Sequence, residues 1–284
     1  MYNYKNAKQD GFYTDLACER RKCTEETEGV SYQKTRCPVG FWERVVVKDE
    51  NGEREIGRPV GIYDTLTLAR IDRLDEELVY DAREEVAKRL CRLLSESDII
   101  PGRILVVGFG NRELTPDSIG AKTATRVKPT LHISRFDPGA FEALDCSEIA
   151  VLTPDVCVHS GLNSADTVRD ICRSLRPDVV IAIDAISTSS PQRLGSTVQI
   201  CNTGIFPGGV GNLAAPITAS LVGAPVIGIG VPTVIDARAF CSSGFDTALG
   251  ETYLVSPREI DEITDGAAEI IGEAINQAFG ISPI

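Results

Sequence analysis

The clearest hydrophobic pattern in the chain lies between residues 75 and 96, where apolar side chains recur every three or four positions. Residues on this spacing share one face of a helix, so the segment is predicted to be a long amphipathic helix. A second helix is predicted from Ser164 to just before Pro177. The apolar positions of the first helix are Leu78, Ala82, Val86, Leu90 and Leu93.

Short apolar runs alternate with these helical patterns and predict buried strands. They occupy residues 104–108, 148–153, 178–184, 196–201 and 225–230. Near the C-terminus, Ser256-Pro257-Arg258-Glu259 has the pattern of a capping box and predicts a helix over 256–279. Strands that alternate with helices favour an α/β fold, a three-layer sandwich whose mostly parallel sheet is covered by helices on both faces.

The first 57 residues differ from the rest, because they are polar, charged and rich in turn formers. Residues 41–47 look like one strand, and Asn51-Gly52 is typical of a hairpin turn. We interpret this part as an extension that packs partly on a core over residues 58–240. A chain of 284 residues is long enough for one elaborated domain.

Charge and cysteine content narrow the class of protein. The net charge of −12 argues against a nucleic-acid binder, which would carry a basic patch. The nine cysteines include no CxxC pair, so neither a zinc ribbon nor a redox dithiol is indicated. No secretory signal and no run of 18 apolar residues is visible. We therefore expect a cytoplasmic protein with reduced thiols.

Two aspartates stand out, because each follows an apolar, strand-like run. Asp117 comes after the 104–108 run and a short turn, and Asp184 ends the 178–184 run. The carboxyl ends of parallel strands meet at one crevice, and two carboxylates there can share general-acid and general-base roles. The simpler alternative is that each aspartate caps a turn or a helix. Asp236, after the 225–230 strand, is a third acidic candidate for which a helix cap is the better interpretation.

Other chemistries fit the sequence less well. Gly108-Phe109-Gly110 follows a strand as in dinucleotide-binding proteins, but Glu113 stands where the third glycine belongs. No HExxH or GxSxG motif is present. His159 and Cys157 leave a dyad open, although buried structural cysteines are more common.

Several motifs together resemble one family, the germination proteases of spore-forming bacteria. They are GFGN at 108–111, TPD at 115–117, VIAIDA at 180–185, TGIFPGGVGN at 203–212 and IGIGVPT at 227–233, in the family's order. TDLACE at 14–19 resembles that family's propeptide processing site. The resemblance implies an endopeptidase of the spore core that degrades small acid-soluble spore proteins during germination. It also implies assembly as a homotetramer and a fold similar to that of hydrogenase-maturation proteases.

The resemblance also implies roles for individual residues. The protein would be a zymogen that cuts itself between Asp15 and Leu16, so residues 1–15 are a propeptide and 16–284 one peptidase domain. That domain comprises an extension at 16–57, the core and the C-terminal helix. Asp117 and Asp184 match the family's two essential aspartates, and no cofactor and no metal is expected.

We also expect a substrate-binding role for Asn111, for Arg193 and for the glycine-rich loop with Gly208, Gly209 and Asn212. Arg193 is the candidate cation for an acidic side chain before the cut bond, with Arg112 and Lys122 as rivals. The chain departs from the family pattern at Phe206, where histidine is frequent, and at Tyr13, where arginine is frequent.

Three competing functions remain open on the sequence. One is a metal-dependent peptidase that uses the same aspartates with His159, and another is a non-catalytic sporulation factor of the same fold. The third is a nucleotide-binding enzyme.

Overall fold

The computed structural model describes residues 14–20, 28–206, 215–240 and 253–281. One mixed sheet carries both the strand that precedes Asp117 and the strand that contains Asp184. Within the described residues the sheet has nine strands. They are β1 (Val30–Cys37), β2 (Gly40–Val47), β3 (Gly61–Leu68), β4 (Arg103–Gly108), β5 (Glu148–Leu152), β6 (Val179–Thr188), β7 (Thr197–Cys201), β8 (Val226–Asp236) and β9 (Leu254–Val255).

The order of the strands divides the sheet into two halves. The sequence β1-β2-β3-β7-β8-β6-β4-β5 runs across it, and β9 pairs with β8. We call β8, β6, β4 and β5, which pair in parallel, the parallel half. We call β1, β2, β3 and β7, which pair antiparallel, the antiparallel half. β7 joins the halves by pairing antiparallel with β8.

The predicted α/β fold is confirmed, but the sheet is mixed rather than mostly parallel. The polar N-terminal stretch contributes two strands, β1 and β2, joined by a turn at residues 38–39. Connections this short can join only antiparallel strands. β1 has mostly polar side chains, several of them exposed, so it contains no apolar run from which a strand could be predicted.

Helices cover both faces, as the sequence predicts. They are α1 (Glu50–Ile56), α2 (Glu76–Glu96), α3 (Ile119–Arg126), α4 (Leu131–Phe136), α5 (Pro138–Leu144), α6 (Cys157–Ser160), α7 (Ser164–Leu175), α8 (Ala219–Val222) and α9 (Ile260–Ala278). Apolar residues of α2, α3 and α9 pack with one face of the sheet, and those of α7 and α8 with the other. The predicted helices α2 and α7 are confirmed at nearly their predicted ends, with Asp75 and Asn163 as N-caps.

Two local predictions are wrong. Asn51 and Gly52 lie inside α1 rather than in a hairpin turn, because the Asp49 side chain accepts their N–H groups and starts a helix. The C-terminal helix begins at Ile260 rather than at Ser256. The Glu259 carboxylate, which a capping box would use, instead accepts a hydrogen bond from Arg70 at 2.9 Å.

Candidate active site

Asp184 lies inside β6, which continues for four residues beyond the predicted strand end. The extension arises because residues 185–188 keep pairing with β8. The neighbour on the other side, β4, ends at Gly108, opposite Ile183. Asp184 is therefore the first residue of β6 beyond the end of β4, and its side chain is buried, with 1% of the residue exposed.

Alternation along β6 sets the direction of the Asp184 side chain. Ile181 and Ile183 pack on the α2–α9 face, and Val180 and Ala182 pack on the α7–α8 face. Because successive strand residues point to opposite faces, Asp184 belongs to the α7–α8 face. There its partner in β8 is Gly230.

Asp117 ends a short 3₁₀ helix, Thr115–Asp117, in the loop between β4 and α3. The loop folds back on itself, so that the Asn111 N–H donates to Asp117 Oδ2 at 2.8 Å. Gly110 makes this possible: its φ is +102°, and a Cβ there would lie 1.8 Å from the Asp117 carbonyl oxygen. Burial raises the pKa of the Asp117 carboxyl, and the hydrogen bond from Asn111 opposes part of that rise.

A cavity of about 230 Å³ lies beside Asp117. Its lining includes Asp15, Pro116, Ala185 and Ser187 as well as Asp117. Asp184 is not among the described residues that line it, although Ala185 is the next residue of β6. A much smaller cavity on the face of Asp184 is lined by Gly230 and also by Asp15. Asp15 therefore lines both cavities.

The segment Thr14–Arg20 is held against the end of β6 through Asp15, and its residues Ala17–Glu19 form a 3₁₀ turn. The Asp15 N–H donates to the Ser187 carbonyl oxygen at 2.9 Å, and the Ser187 N–H donates to Asp15 Oδ2 at 2.9 Å. Arg58 Nη2 donates to Asp15 Oδ1 at 2.8 Å. Both side chains of this ion pair are largely buried.

The peptide bond between Asp15 and Leu16 is held from the opposite side by Gln199 of β7. Gln199 Nε2 donates to the Asp15 carbonyl oxygen at 3.3 Å, and Gln199 Oε1 accepts the Ala17 N–H at 2.9 Å. Leu16 between them is fully buried. The amide side chain thus fixes the main chain on both sides of Leu16.

Glu19 is the second acidic side chain that the segment inserts into the protein. Its carboxylate accepts hydrogen bonds from the Ser189 N–H at 2.8 Å, from Ser189 Oγ at 2.9 Å and from Thr188 Oγ1. Arg193 Nε lies 3.7 Å away and also binds Glu43. The sequence suggests Arg193 as the partner of the acidic side chain before the cut bond. Arg193 instead contacts Glu19 and Glu43, and it is Arg58 that contacts Asp15.

The other predicted binding residues lie apart from this segment. Asn111 and Arg112 line a separate cavity of about 280 Å³ with His159. Lys122 pairs with Asp265 at 2.8 Å on α9. Gly208, Gly209 and Asn212 lie outside the described residues.

Sequence reasoning missed Arg58 and Gln199. Gln199 gave a signal, because it is a polar residue within an otherwise apolar strand, and such a residue needs a buried partner. Arg58 precedes Pro59 in a polar stretch of the sequence, where nothing distinguishes it from the neighbouring charged residues.

The metal-dependent alternative relied on His159, whose Nδ1 lies 3.3 Å from Asp155 Oδ1. Across the ranges that the structure describes, no group of three His, Cys, Asp or Glu side chains is placed to hold a metal ion. In the same ranges, no helix combines the length and the apolar character needed to cross a membrane.

Comparison with known proteins gives consistent matches. The sequence model of the germination protease family matches residues 11–249. Germination proteases from Caldanaerobacter subterraneus and Clostridium acetobutylicum are 38% and 30% identical to this chain. The first alignment covers 80% of this chain and 70% of the relative, and the second covers 94% of both.

A further germination protease, from Oceanobacillus iheyensis, is 35% identical over 83% of this chain and 67% of its own. Among solved structures, the [NiFe] hydrogenase maturation protease HycI from Thermococcus kodakarensis aligns with a TM-score of 0.36 at 19% identity. That alignment covers 66% of this chain and 99% of the other.

Proposed function

Because this chain belongs to the germination protease family, a family of peptidases, we propose that it is an endopeptidase that acts on small acid-soluble spore proteins. We propose that it is made as a zymogen and first removes its own residues 1–15 by cutting between Asp15 and Leu16. The proposed form is a homotetramer in the cytoplasm of the forespore, as the family resemblance implies.

The observation that carries this proposal is the position of the segment Thr14–Arg20. Its main chain is paired with Ser187, three residues after Asp184, and Asp15 lines the same cavity as Asp117. A peptidase holds its substrate by main-chain hydrogen bonds next to its reacting groups, and here Asp15 is bonded to β6, the strand that carries Asp184, and lies beside Asp117. The same contacts would exclude other substrates until the segment is cut.

The proposed chemistry is hydrolysis by the two aspartates. A water oxygen attacks the Asp15 carbonyl carbon while one carboxylate takes its proton. The bond from that carbon to the Leu16 nitrogen then breaks, and the other carboxyl donates a proton to the leaving nitrogen. Asp117 suits the acid role, since burial raises its pKa and favours the protonated form. Asp184 would then be the base.

Gln199 has a supporting role in this scheme. Its Nε2 donates to the carbonyl oxygen that becomes negative when water attacks. A donor placed there before the reaction stabilises the developing charge. Products are the carboxylate of Asp15 and the free amine of Leu16, so the atoms balance without a cofactor.

The test is the intact mass of the purified full-length protein before and after mild acidification. Asp117→Asn and Asp184→Asn are compared with wild type and with Asp155→Asn, a control at an exposed aspartate near His159. We expect wild type and Asp155→Asn to lose residues 1–15. Processing in the other two should slow by about 10²–10⁴-fold, the usual contribution of a general acid or base.

Three results would contradict the proposal. Processing that persists in both Asp117→Asn and Asp184→Asn would rule out the aspartate pair. An unchanged mass in wild type, with no cutting of an added spore protein, would point to a non-catalytic factor. Processing that is lost on chelation and restored by added metal would favour the metal-dependent alternative.

A further inference from the structure

Two acidic side chains of the bound segment occupy two separate sites on the protein, four residues apart in sequence. We propose that these are the specificity sites of the peptidase. Arg58 and the Ser187 amide receive the acidic side chain just before the cut bond, and Ser189, Thr188 and Arg193 receive a second acidic side chain four residues later. This inference rests on the proposed function, because it treats Thr14–Arg20 as a bound substrate.

The Asp15 site is built to hold a carboxylate. The two oxygens of Asp15 are bound separately, one by Arg58 Nη2 and the other by the Ser187 N–H. Arg58 Nη2 also donates to the Thr14 carbonyl oxygen at 3.1 Å, so one guanidinium contacts both the main chain and the side chain. A neutral amide in place of the carboxylate would put an N–H₂ group against one of these donors.

The fold positions Arg58 tightly. α1 is capped by Gly57, whose φ of +65° ends the helix immediately before Arg58. On the other side, the Tyr63 hydroxyl donates to the Pro59 carbonyl oxygen at 2.8 Å. The guanidinium is therefore fixed in a site where its side chain is only 7% exposed. A buried cation is costly without a counter-charge, so the site favours another carboxylate once Asp15 leaves.

The Glu19 site differs in its chemistry. Apart from the Thr14 hydroxyl of the same segment, its closest donors are the neutral N–H and hydroxyl groups of Ser189 and Thr188. Arg193 lies 3.7 Å away and is already paired with Glu43. Because the positive charge of Arg193 is shared with Glu43, this site should distinguish a carboxylate from a neutral amide less strongly than the Arg58 site. Its main effect would be to set the register of the substrate.

The experiment measures cleavage of peptides that carry residues 11–22 of this chain. One peptide has the natural sequence, one carries Asp15→Asn and one carries Glu19→Gln. The enzymes are the processed forms of wild type, Arg58→Gln, Arg58→Lys, Arg193→Gln and the control Arg92→Gln, an exposed arginine paired with Glu96. Variants that do not convert alone are processed by a trace of tagged wild type, which is then removed.

The readout is the ratio of kcat/KM for the natural peptide to that for each amide peptide. This ratio is independent of how much of a variant is folded. For wild type we expect a ratio of about 10–100 at Asp15, the usual effect of a hydrogen bond to a charged group. Arg58→Gln should reduce it to within about threefold of unity, and Arg58→Lys should restore part of it. Arg193→Gln should lower only the Glu19 ratio.

The outcomes separate the inference from the function on which it rests. If Arg58→Gln keeps the wild-type ratio at Asp15, the inference is wrong and the proposed function stands. Cleavage of all three peptides at equal rates by wild type has the same meaning. If wild type cuts no peptide and does not process itself, the proposed function is wrong and the inference is lost with it.

Discussion

Asp64 and Asp117, one associated with each half of the sheet, have opposite surroundings. In the antiparallel half, Asp64 is fully buried and lies 2.7 Å from Arg44 and 3.4 Å from Arg89. In the parallel half, burial raises the pKa of Asp117, and the Asn111 N–H donates to its carboxylate. Asp64 is paired with two guanidinium groups, whereas burial raises the pKa of Asp117.

The difference separates structural from chemical roles. The Asp64 carboxylate is bound to Arg44 and Arg89 and lines none of the three cavities described above, so its role is to hold the fold. A carboxyl with a raised pKa beside a cavity can exchange a proton. The antiparallel half also supplies Gln199, and Arg58 lies just before β3 at its end. We infer that the parallel half contributes the reacting groups and that both halves position the peptide, the parallel half through Ser187 of β6 and the antiparallel half through Gln199.

The largest expected effect on stability comes from Asp64→Asn. Without the carboxylate, Arg44 and Arg89 become buried like charges with no counter-charge from Asp64. Breaking a buried ion pair from one side typically costs about 3–5 kcal/mol, and urea unfolding should show a loss of that size. Processing per folded molecule should be unchanged. A large loss of processing with stability intact would contradict the proposed separation of roles.

A smaller loss of stability is expected from Gly120→Ala in the parallel half. A Cβ at Gly120 would lie 2.3 Å from the Ile183 carbonyl oxygen and 2.4 Å from that of Phe109. Because both contacts are main chain, α3 must move away from β4 and β6, at a cost of about 1–3 kcal/mol. Gly139→Ala is the control, since its Cβ meets only Asp137 Oδ1 at 3.7 Å. Equal midpoints in urea for the two variants would contradict the packing described.

Gln199→Leu tests whether the antiparallel half positions the cut bond. The change keeps the volume but removes the donor to the Asp15 carbonyl oxygen. Loss of this hydrogen bond and of the one from the Ala17 N–H predicts self-processing about 10–100-fold slower, measured by intact mass over time. Gln33→Leu, at an exposed position of β1, is the control. Unchanged processing in Gln199→Leu would remove Gln199 from the mechanism.

The smallest effects are changes in thermal stability with pH, and they should have opposite signs for two aspartates. The hydrogen bond from Arg70 holds the pKa of Asp72 below its ordinary value of 3.8, whereas burial raises that of Asp117 above the same value. Asp72 therefore stabilises the fold above its ordinary pKa, and this stabilisation is lost as pH falls. Ionisation of Asp117 destabilises the fold as pH rises through its raised pKa.

We thus expect Asp72→Asn to lower Tm at pH 7, and this effect should shrink only as pH falls below 3.8 toward the lowered pKa of Asp72. Asp117→Asn should raise Tm at pH 7, and the gain should disappear below pH 3.8. Melting curves between pH 3 and pH 8, recorded for both variants and wild type, measure the two slopes. Slopes of the same sign would contradict the contrast between the two carboxylates.

The sequence predicts best what depends on local periodicity. Helix α2 was predicted at nearly its final bounds, because Ala82, Val86, Leu90 and Leu93 form one buried stripe. The end of β6 could not be predicted in this way, since residues 185–188 remain in the strand only through their pairing with β8. β1 was missed because its exposed side chains carry no apolar pattern.

The candidate site shows the same limit more strongly. Asp117 and Asp184 could be selected from the sequence, because each follows an apolar run. The contacts of Asp15 could not, since they join it to Arg58 and Gln199, which lie 43 and 184 residues away. Which of several arginines meets a given carboxylate depends on the assembled sheet and has no local signal.

Burial of Cys18 gives the cleft an intrinsic chemical reporter. Cys18 is partly buried, and desolvation raises the pKa of its thiol to about 12, which favours the protonated, less reactive form while the segment is bound. A cut between Asp15 and Leu16 leaves Cys18 on the processed chain, close to its new N-terminus. Release of that end into water would return the thiol to ordinary acidity and expose it to alkylating reagents. The rate at which an added reagent alkylates Cys18 would therefore report how often this segment leaves its site on the protein.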